Sequence, residues 1–142
     1  MKDQNEIHYF FDKRQGMNLF CNLERRDKDY QEILKLHRFN FFTRAYASKV
    51  PFVSRISQFL WKSCIAIQNW LRITINDEVQ FYWANNWCSL SQDAVEYLVN
   101  GKKRIIRRYR WSFCGDEWFV PTELMNSYLR EKVVNSDLLL YG

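Results

Sequence analysis

Apolar positions in the first half of the chain recur at helical intervals. Tyr30, Ile33, Leu34, Leu36 and Phe41 follow a spacing of about 3.6 residues and predict a helix from about Asp29 to Ala47. Pro51 then interrupts the pattern, and a proline ring pushes the residue before it, Val50, towards extended backbone. A second helix is predicted from Phe52 to about Leu71. Its apolar stripe is Val53, Ile56, Phe59, Leu60, Cys64, Ile67 and Leu71, and such a stripe is expected to face a core or a partner.

The pattern changes near residue 79. Val79 to Trp83 (VQFYW) is β-branched and aromatic and predicts a strand, followed by a turn in NNWCSL. Ser91 is a suitable N-cap for a short helix through Ala94, Val95 and Leu98, and Gly101 stands just past its end, where a left-handed residue is wanted. RIIRRYRWSF, Arg104 to Phe113, predicts another strand. Asp116 is placed to cap a helix towards Leu129. Pro121 lies beyond the first turn of that helix, where it removes a backbone donor, so a later start or a distortion is expected. The final SDLLLYG predicts a strand.

Composition narrows the class. The chain has 142 residues, 47% of them hydrophobic, which suits one globular unit or part of a larger one. Aromatic residues reach 18%, and such side chains build cores as well as platforms for sugars and bases. A net charge of +5 favours anionic partners. Cys21, Cys64, Cys88 and Cys114 form no C-x-x-C, and with His8 and His37 they show no zinc-ligand spacing, so unpaired thiols in a reducing compartment are expected. The first residues, MKDQNEIHYF, do not read as a secretory signal. Phe52 to Ile75, the most apolar run, is interrupted by Arg55, Lys62 and Arg72 and does not read as a membrane span.

Four constellations could carry chemistry, and each has a structural alternative. Asp116 and Glu117 read either as an N-cap with a first-turn acid, or as a cap beside a working carboxylate. In the second reading Trp118 and Phe119 partly desolvate Glu117 and tune it as a general base. KKRIIRRYR, Lys102 to Arg110, reads as a solvated edge strand, or as a diphosphate or nucleic-acid surface. As a strand it would place Lys103, Arg107 and Tyr109 on one face and Arg104, Arg108 and Arg110 on the other. Trp83 and Trp87 flank two asparagines, as in a core turn or a sugar-stacking site. RDKD, Arg26 to Asp29, contains D-x-D but reads as a solvated charged run.

The order of these motifs resembles the core-2/I-branching β-1,6-N-acetylglucosaminyltransferases, particularly their bacterial relatives. That family carries G-S-x-W-x-x-L-[ST]-x-x-x-V-x-Y-[IL] ahead of P-D-E-x-x-x-x-T-x-x-x-N-S. Trp87, Leu90, Ser91, Val95, Tyr97 and Leu98 match the first pattern; Asp116, Glu117, Thr122, Asn126 and Ser127 match the second. Ala84-Asn85 stands where the family has Gly-Ser, and Gly115 where it has Pro. The resemblance runs from about Val79 to Gly142.

The resemblance implies an α/β fold of the GT-A type, here a partial glycosyltransferase domain. Residues 1–78 would form a mainly helical segment and 79–142 a strand/helix segment with the motifs. It implies inverting transfer from a UDP-sugar to a glycan acceptor hydroxyl, with Glu117 as catalytic base. Trp87, Asp116 and Arg107 would bind substrate, and no metal or other cofactor would be used. The family's nucleotide-binding strands and most of its UDP-holding basic residues lie outside the span matched here, so the chain is expected to be a fragment of a larger domain. No nucleic-acid partner is expected. The parent protein would sit in the cytoplasm or at the inner membrane in a bacterium, and at the Golgi membrane in a eukaryote. The competing readings are a small basic nucleic-acid-binding module and a non-catalytic interaction protein.

Overall fold

The computed structural model, which describes residues 15–27, 35–113 and 115–135, is a mixed α/β chain whose strands are only two or three residues long. In chain order its elements are β1 (Asn18–Phe20), β2 (Glu24–Arg25), α1 (Pro51–Trp70), β3 (Tyr82–Trp83), β4 (Cys88–Ser89), α2 (Gln92–Asn100), α3 (Lys102–Tyr109), α4 (Asp116–Met125) and β5 (Val133–Asn135). Single 3-10 turns lie at Thr43–Ala45 and Tyr128–Lys132. Two units are distinguished: a first of Met1–Arg26, Gln80–Ile105 and Asp116–Gly142, and a second of Asp27–Val79 and Ile106–Gly115.

In the first unit β1 is the middle strand of three. It pairs antiparallel with β4 (Leu19 with Ser89) and parallel with β5 (Leu19 with Val134). All three of its residues are buried, including Asn18, whose Oδ1 accepts the Ser91 N–H at 2.9 Å. Phe20, Ala84, Ala94, Leu124 and Leu129 form the core, with Leu90, Leu98 and Val120 packed against them.

A second sheet of two strands, β2 and β3, completes its hydrogen bonding with helix α4. Arg26 N–H donates to the Phe81 carbonyl at 3.1 Å, so Arg25 and Tyr82 form a non-hydrogen-bonded pair, and the N–H and C=O of Tyr82 point away from β2. Thr122 of α4 takes both: its hydroxyl accepts from Tyr82 N–H at 3.0 Å and donates to Tyr82 C=O at 3.1 Å. Two residues back, the Gln80 carbonyl accepts from Asn126 Nδ2 at 2.8 Å. Two residues on, Ala84 N–H donates to the Glu117 carbonyl at 3.3 Å. One helical turn rises about 5.4 Å and two strand residues about 6.7 Å, so a helix can follow a strand edge in this way. Pro121 enables the last of these bonds. It has no N–H, so the carbonyl four residues earlier, that of Glu117, is left for Ala84. The helix runs unbroken through the proline and ends at Met125, before the expected Leu129.

Helix α1 opens as the sequence predicts, with Val50 extended (φ −87°, ψ 111°) and Pro51 in the first turn. Of the two expected facings, core or partner, the stripe does not take the core. The buried positions are Ser57 and Gln68, while Phe52, Val53, Ile56, Phe59, Leu60, Ile67 and Leu71 are exposed. The polar face docks on the backbone of residues 39–46. Gln68 binds Phe39 twice, through N–H (2.8 Å) and C=O (2.9 Å); Ser54 Oγ donates to Tyr46 C=O at 2.7 Å and Ser57 Oγ to Phe42 C=O.

Those bonds explain why the helix predicted for Asp29–Ala47 is not found at residues 35–47, which form turns and the Thr43–Ala45 3-10 turn. Side chains of α1 occupy backbone groups that an α-helix would pair internally. Asn40 also bonds Lys35 and Arg38 carbonyls through its own side chain, and Phe42 has φ 66°, which stops any helix. The aromatic residues serve packing instead: Phe41 lies 5.2 Å from Trp111, and Tyr46 lies 5.2 Å from Phe113 and 5.6 Å from Trp61.

The strand predicted for Arg104–Phe113 is also corrected: α3 is a helix over Lys102–Tyr109. Its partition of cations between two strand faces therefore fails, because Arg104, Arg107 and Arg108 share one side of a helix. Ser91 caps α2 as expected, accepting the Ala94 N–H at 3.3 Å. Gly101 ends α2 at φ −80°, outside the left-handed region. Asp29 of RDKD, Cys114 and the SDLLLYG strand lie outside the described residues.

Candidate functional site

Helix α4 presents the two candidate carboxylates in its first turn, where the positive helix end favours them. Asp116 is exposed and belongs to that turn instead of preceding it as a cap. Glu117 is half-buried. Its Oε2 accepts from Trp83 Nε1 at 2.8 Å, so the carboxylate has one fixed orientation. Among the described residues its Oε1 has no hydrogen-bond partner. The Trp83 ring is itself held, with the Arg26 guanidinium 5.3 Å from its centroid and Arg26 paired to Glu24 at 2.7 Å.

Trp87 lies in the loop between β3 and β4. The loop starts at Ala84, on the Glu117 carbonyl, and Asn85 N–H ties it to Cys21 C=O at 3.1 Å. The Trp87 side chain is 71% exposed, far more than core packing would leave. Glu117, Asp116 and Trp87 thus belong to the first unit. Arg107 is exposed on the part of α3 assigned to the second unit.

Most of the other motif residues have structural work, while Val95 is exposed. Thr122 and Asn126 hold the β3 edge. Ser127 Oγ accepts from Leu129 N–H at 3.1 Å and donates to Leu124 C=O at 2.8 Å, closing the turn after α4. Leu90 and Leu98 pack on the core.

One ionic group escaped the sequence reading. Glu123 is only 2% exposed, and Arg104 binds it through Nη2 at 2.9 Å and Nε at 3.2 Å. Arg104 Nη2 also donates to the Tyr97 hydroxyl at 2.9 Å, and its guanidinium lies 5.1 Å from that ring's centroid. Burial pulls the Arg104 pKa down, but the hydrogen bond and charge of Glu123, with help from Tyr97, outweigh it and hold it above the usual value. A shallow cleft beside this pair is lined by Asp93, Glu96, Tyr97, Asn100, Arg104 and Tyr128. The available signal was the lone acid in FVPTELM: a carboxylate within so apolar a helix predicts burial against a cation.

Comparison of the chain with protein-family models, with curated proteins and with solved structures finds no match.

Proposed function

We propose that the first unit is part of an inverting glycosyltransferase site in which Glu117 is the general base towards a glycan hydroxyl. The observation carrying this reading is the Glu117 carboxylate: one oxygen is fixed by Trp83 Nε1 at 2.8 Å, and the other has no partner among the described residues. A base needs that combination of fixed aim and available lone pair. In the proposed step Glu117 takes the proton of an acceptor hydroxyl as its oxygen attacks the anomeric carbon of a UDP-sugar. The bond to the diphosphate breaks, UDP leaves with that electron pair, and the configuration inverts. Exposed Trp87 would stack on a sugar ring. Asp116 would stand beside the acceptor.

The test is UDP release by the 142-residue chain from UDP-N-acetylglucosamine with a β-galactoside acceptor, alongside ligand-detected NMR binding to each. Glu117→Gln should lower turnover by about 10²–10⁴-fold and leave sugar binding intact, while Asp116→Asn changes little. Equal, mild effects of the two carboxamides would reduce the pair to a helix start. Absence of both turnover and binding would refute the reading for this chain.

A further inference from the structure

Helix α1 buries the wrong stripe for a helix that serves only a core. Phe52, Phe59 and Trp70 are 72%, 70% and 80% exposed, against 5% for Ser57 and 6% for Gln68 on the docked face. Phe52 and Trp70 are 18 residues apart, five whole helical turns, and Phe59 falls within about 20° of the same line. Ile56, Ile67 and Leu60, all more than one-third exposed, widen this line into a face. Arg55 and Lys62, both exposed, run along one border. The neighbouring 3-10 turn extends the surface. Phe42 is held at φ 66° with its carbonyl on Ser57, and its ring, 52% exposed, lines a groove with Phe52, Val53 and Leu60. A bulky residue in the left-handed region is strained, and here the strain displays an aromatic ring to solvent.

Charge separates with this surface. The second unit holds 11 Lys and Arg against 5 Asp and Glu, a net of +6; the first holds 10 against 11, a net of −1, and together they make the chain's +5. Between Glu32 and Asp77 there is no carboxylate side chain, while cations stand at 35, 38, 44, 49, 55, 62 and 72. An apolar aromatic face bordered by cations, on a unit with about two cations for every acid, complements a surface that is apolar below and anionic above.

We propose that α1 is an interfacial helix that lies on an anionic phospholipid surface, its Phe52–Phe59–Trp70 line in the acyl boundary and Arg55 and Lys62 at the headgroups. No helix among the described residues is long and apolar enough to cross a membrane, so the contact is one of lying on the bilayer. A second copy of the chain is a poorer occupant, because two units of net +6 would repel. Nucleic acid would answer the charge but leave Ile56, Leu60 and Ile67 uncovered. The inference is independent of the proposed transfer chemistry.

The full chain is tested by flotation with vesicles of phosphatidylcholine alone and mixed with phosphatidylglycerol, with tryptophan emission as second readout. Binding to the mixed vesicles with a blue shift is expected, weakening towards 1 M salt, where screening shortens to about 3 Å. Phe52→Ser, Phe59→Ser and Trp70→Ser together should lower partitioning by about a hundredfold or more. Arg55→Glu with Lys62→Glu should lower it at least about tenfold on anionic vesicles only. All these side chains are exposed, so circular dichroism should stay native; if the aromatic variant unfolds, the charge reversal decides. No binding by the unmodified chain, or binding untouched by the variants, overturns the proposal. So does concentration-dependent self-association, or capture of an RNA oligonucleotide, that needs the same residues while vesicles do not bind.

Discussion

Thr122→Val keeps side-chain volume and removes one hydroxyl. That hydroxyl serves both outward-facing backbone groups of Tyr82, at 3.0 and 3.1 Å, and Thr122 is fully buried. Valine would leave a buried N–H and a buried C=O without partners, at about 1–3 kcal/mol each. The methyl that replaces the hydroxyl returns about 1 kcal/mol of transfer energy. A net loss of about 1–5 kcal/mol follows, a large fraction of the roughly 5–15 kcal/mol by which domains are stable. At about 3–5 °C per kcal/mol for a chain of this size, Tm should fall by about 3–25 °C. Thr122→Ser is the control. It keeps the hydroxyl and loses one methyl, for about 1 kcal/mol. Denaturant titration followed by tryptophan fluorescence, with hydrogen exchange at the Tyr82 amide, should rank wild type, Ser, then Val. The reverse order, with serine worse than valine, would mean that Thr122 only fills volume, and the account of α4 as the edge partner of β3 would be wrong.

Two further outcomes can be checked by the same titrations. Arg104→Met takes a bonded cation from the buried Glu123 carboxylate and should lose about 2–4 kcal/mol, moderated by the half-exposed guanidinium, while Lys103→Met stays within about 0.5 kcal/mol and adding Glu123→Met restores most of the loss. Gly101→Ala places a Cβ 2.9 Å from Arg104 Nη2 and 3.1 Å from the Tyr97 carbonyl, so it should lose about 1–2 kcal/mol, less when Arg104 is already methionine; an additive penalty would contradict the crowding.

The parts of the fold legible in the sequence were those set by local chemistry. Pro51 marked the start of α1, Ser91 and Gly101 bracketed α2, and the Asp116–Glu117 pair marked α4. The failures share a cause: polar side chains satisfy backbone at long range, and no local pattern announces it. Gln68, Ser54 and Ser57 hold the turns of residues 39–46, where apolar spacing predicted a helix. In Arg104–Phe113 the β-branched and aromatic content outweighed the i, i+4 pair Ile105 and Tyr109, both half-buried on α3. In the candidate site, Glu117 and Asp116 were legible as an acidic helix start. The Trp83 bond that orients Glu117 was not, because it joins residues 34 apart. Thr122 and Asn126 matched a transferase motif, and their i, i+4 spacing serves to meet a strand edge. The facing of α1 was illegible for a different reason: a stripe of apolar residues says that something covers it, and only the coordinates say that among the described residues it stands exposed.

The middle strand β1 has a consequence for synthesis. Its antiparallel partner, β4, begins 70 residues after β1 does, and its parallel partner, β5, begins 115 residues after. At roughly 5–20 residues per second, Leu19 and Phe20 leave the ribosome roughly 6–23 s before β5 exists. Until β4 emerges, a segment buried on every residue in the native state has no partner for either edge, and until β5 emerges it still lacks one. The nascent chain is therefore a client for holding factors early. A slowed ribosome or a stop after β4 would lengthen the exposure, and aggregation should track translation speed more closely than the stability of the finished protein.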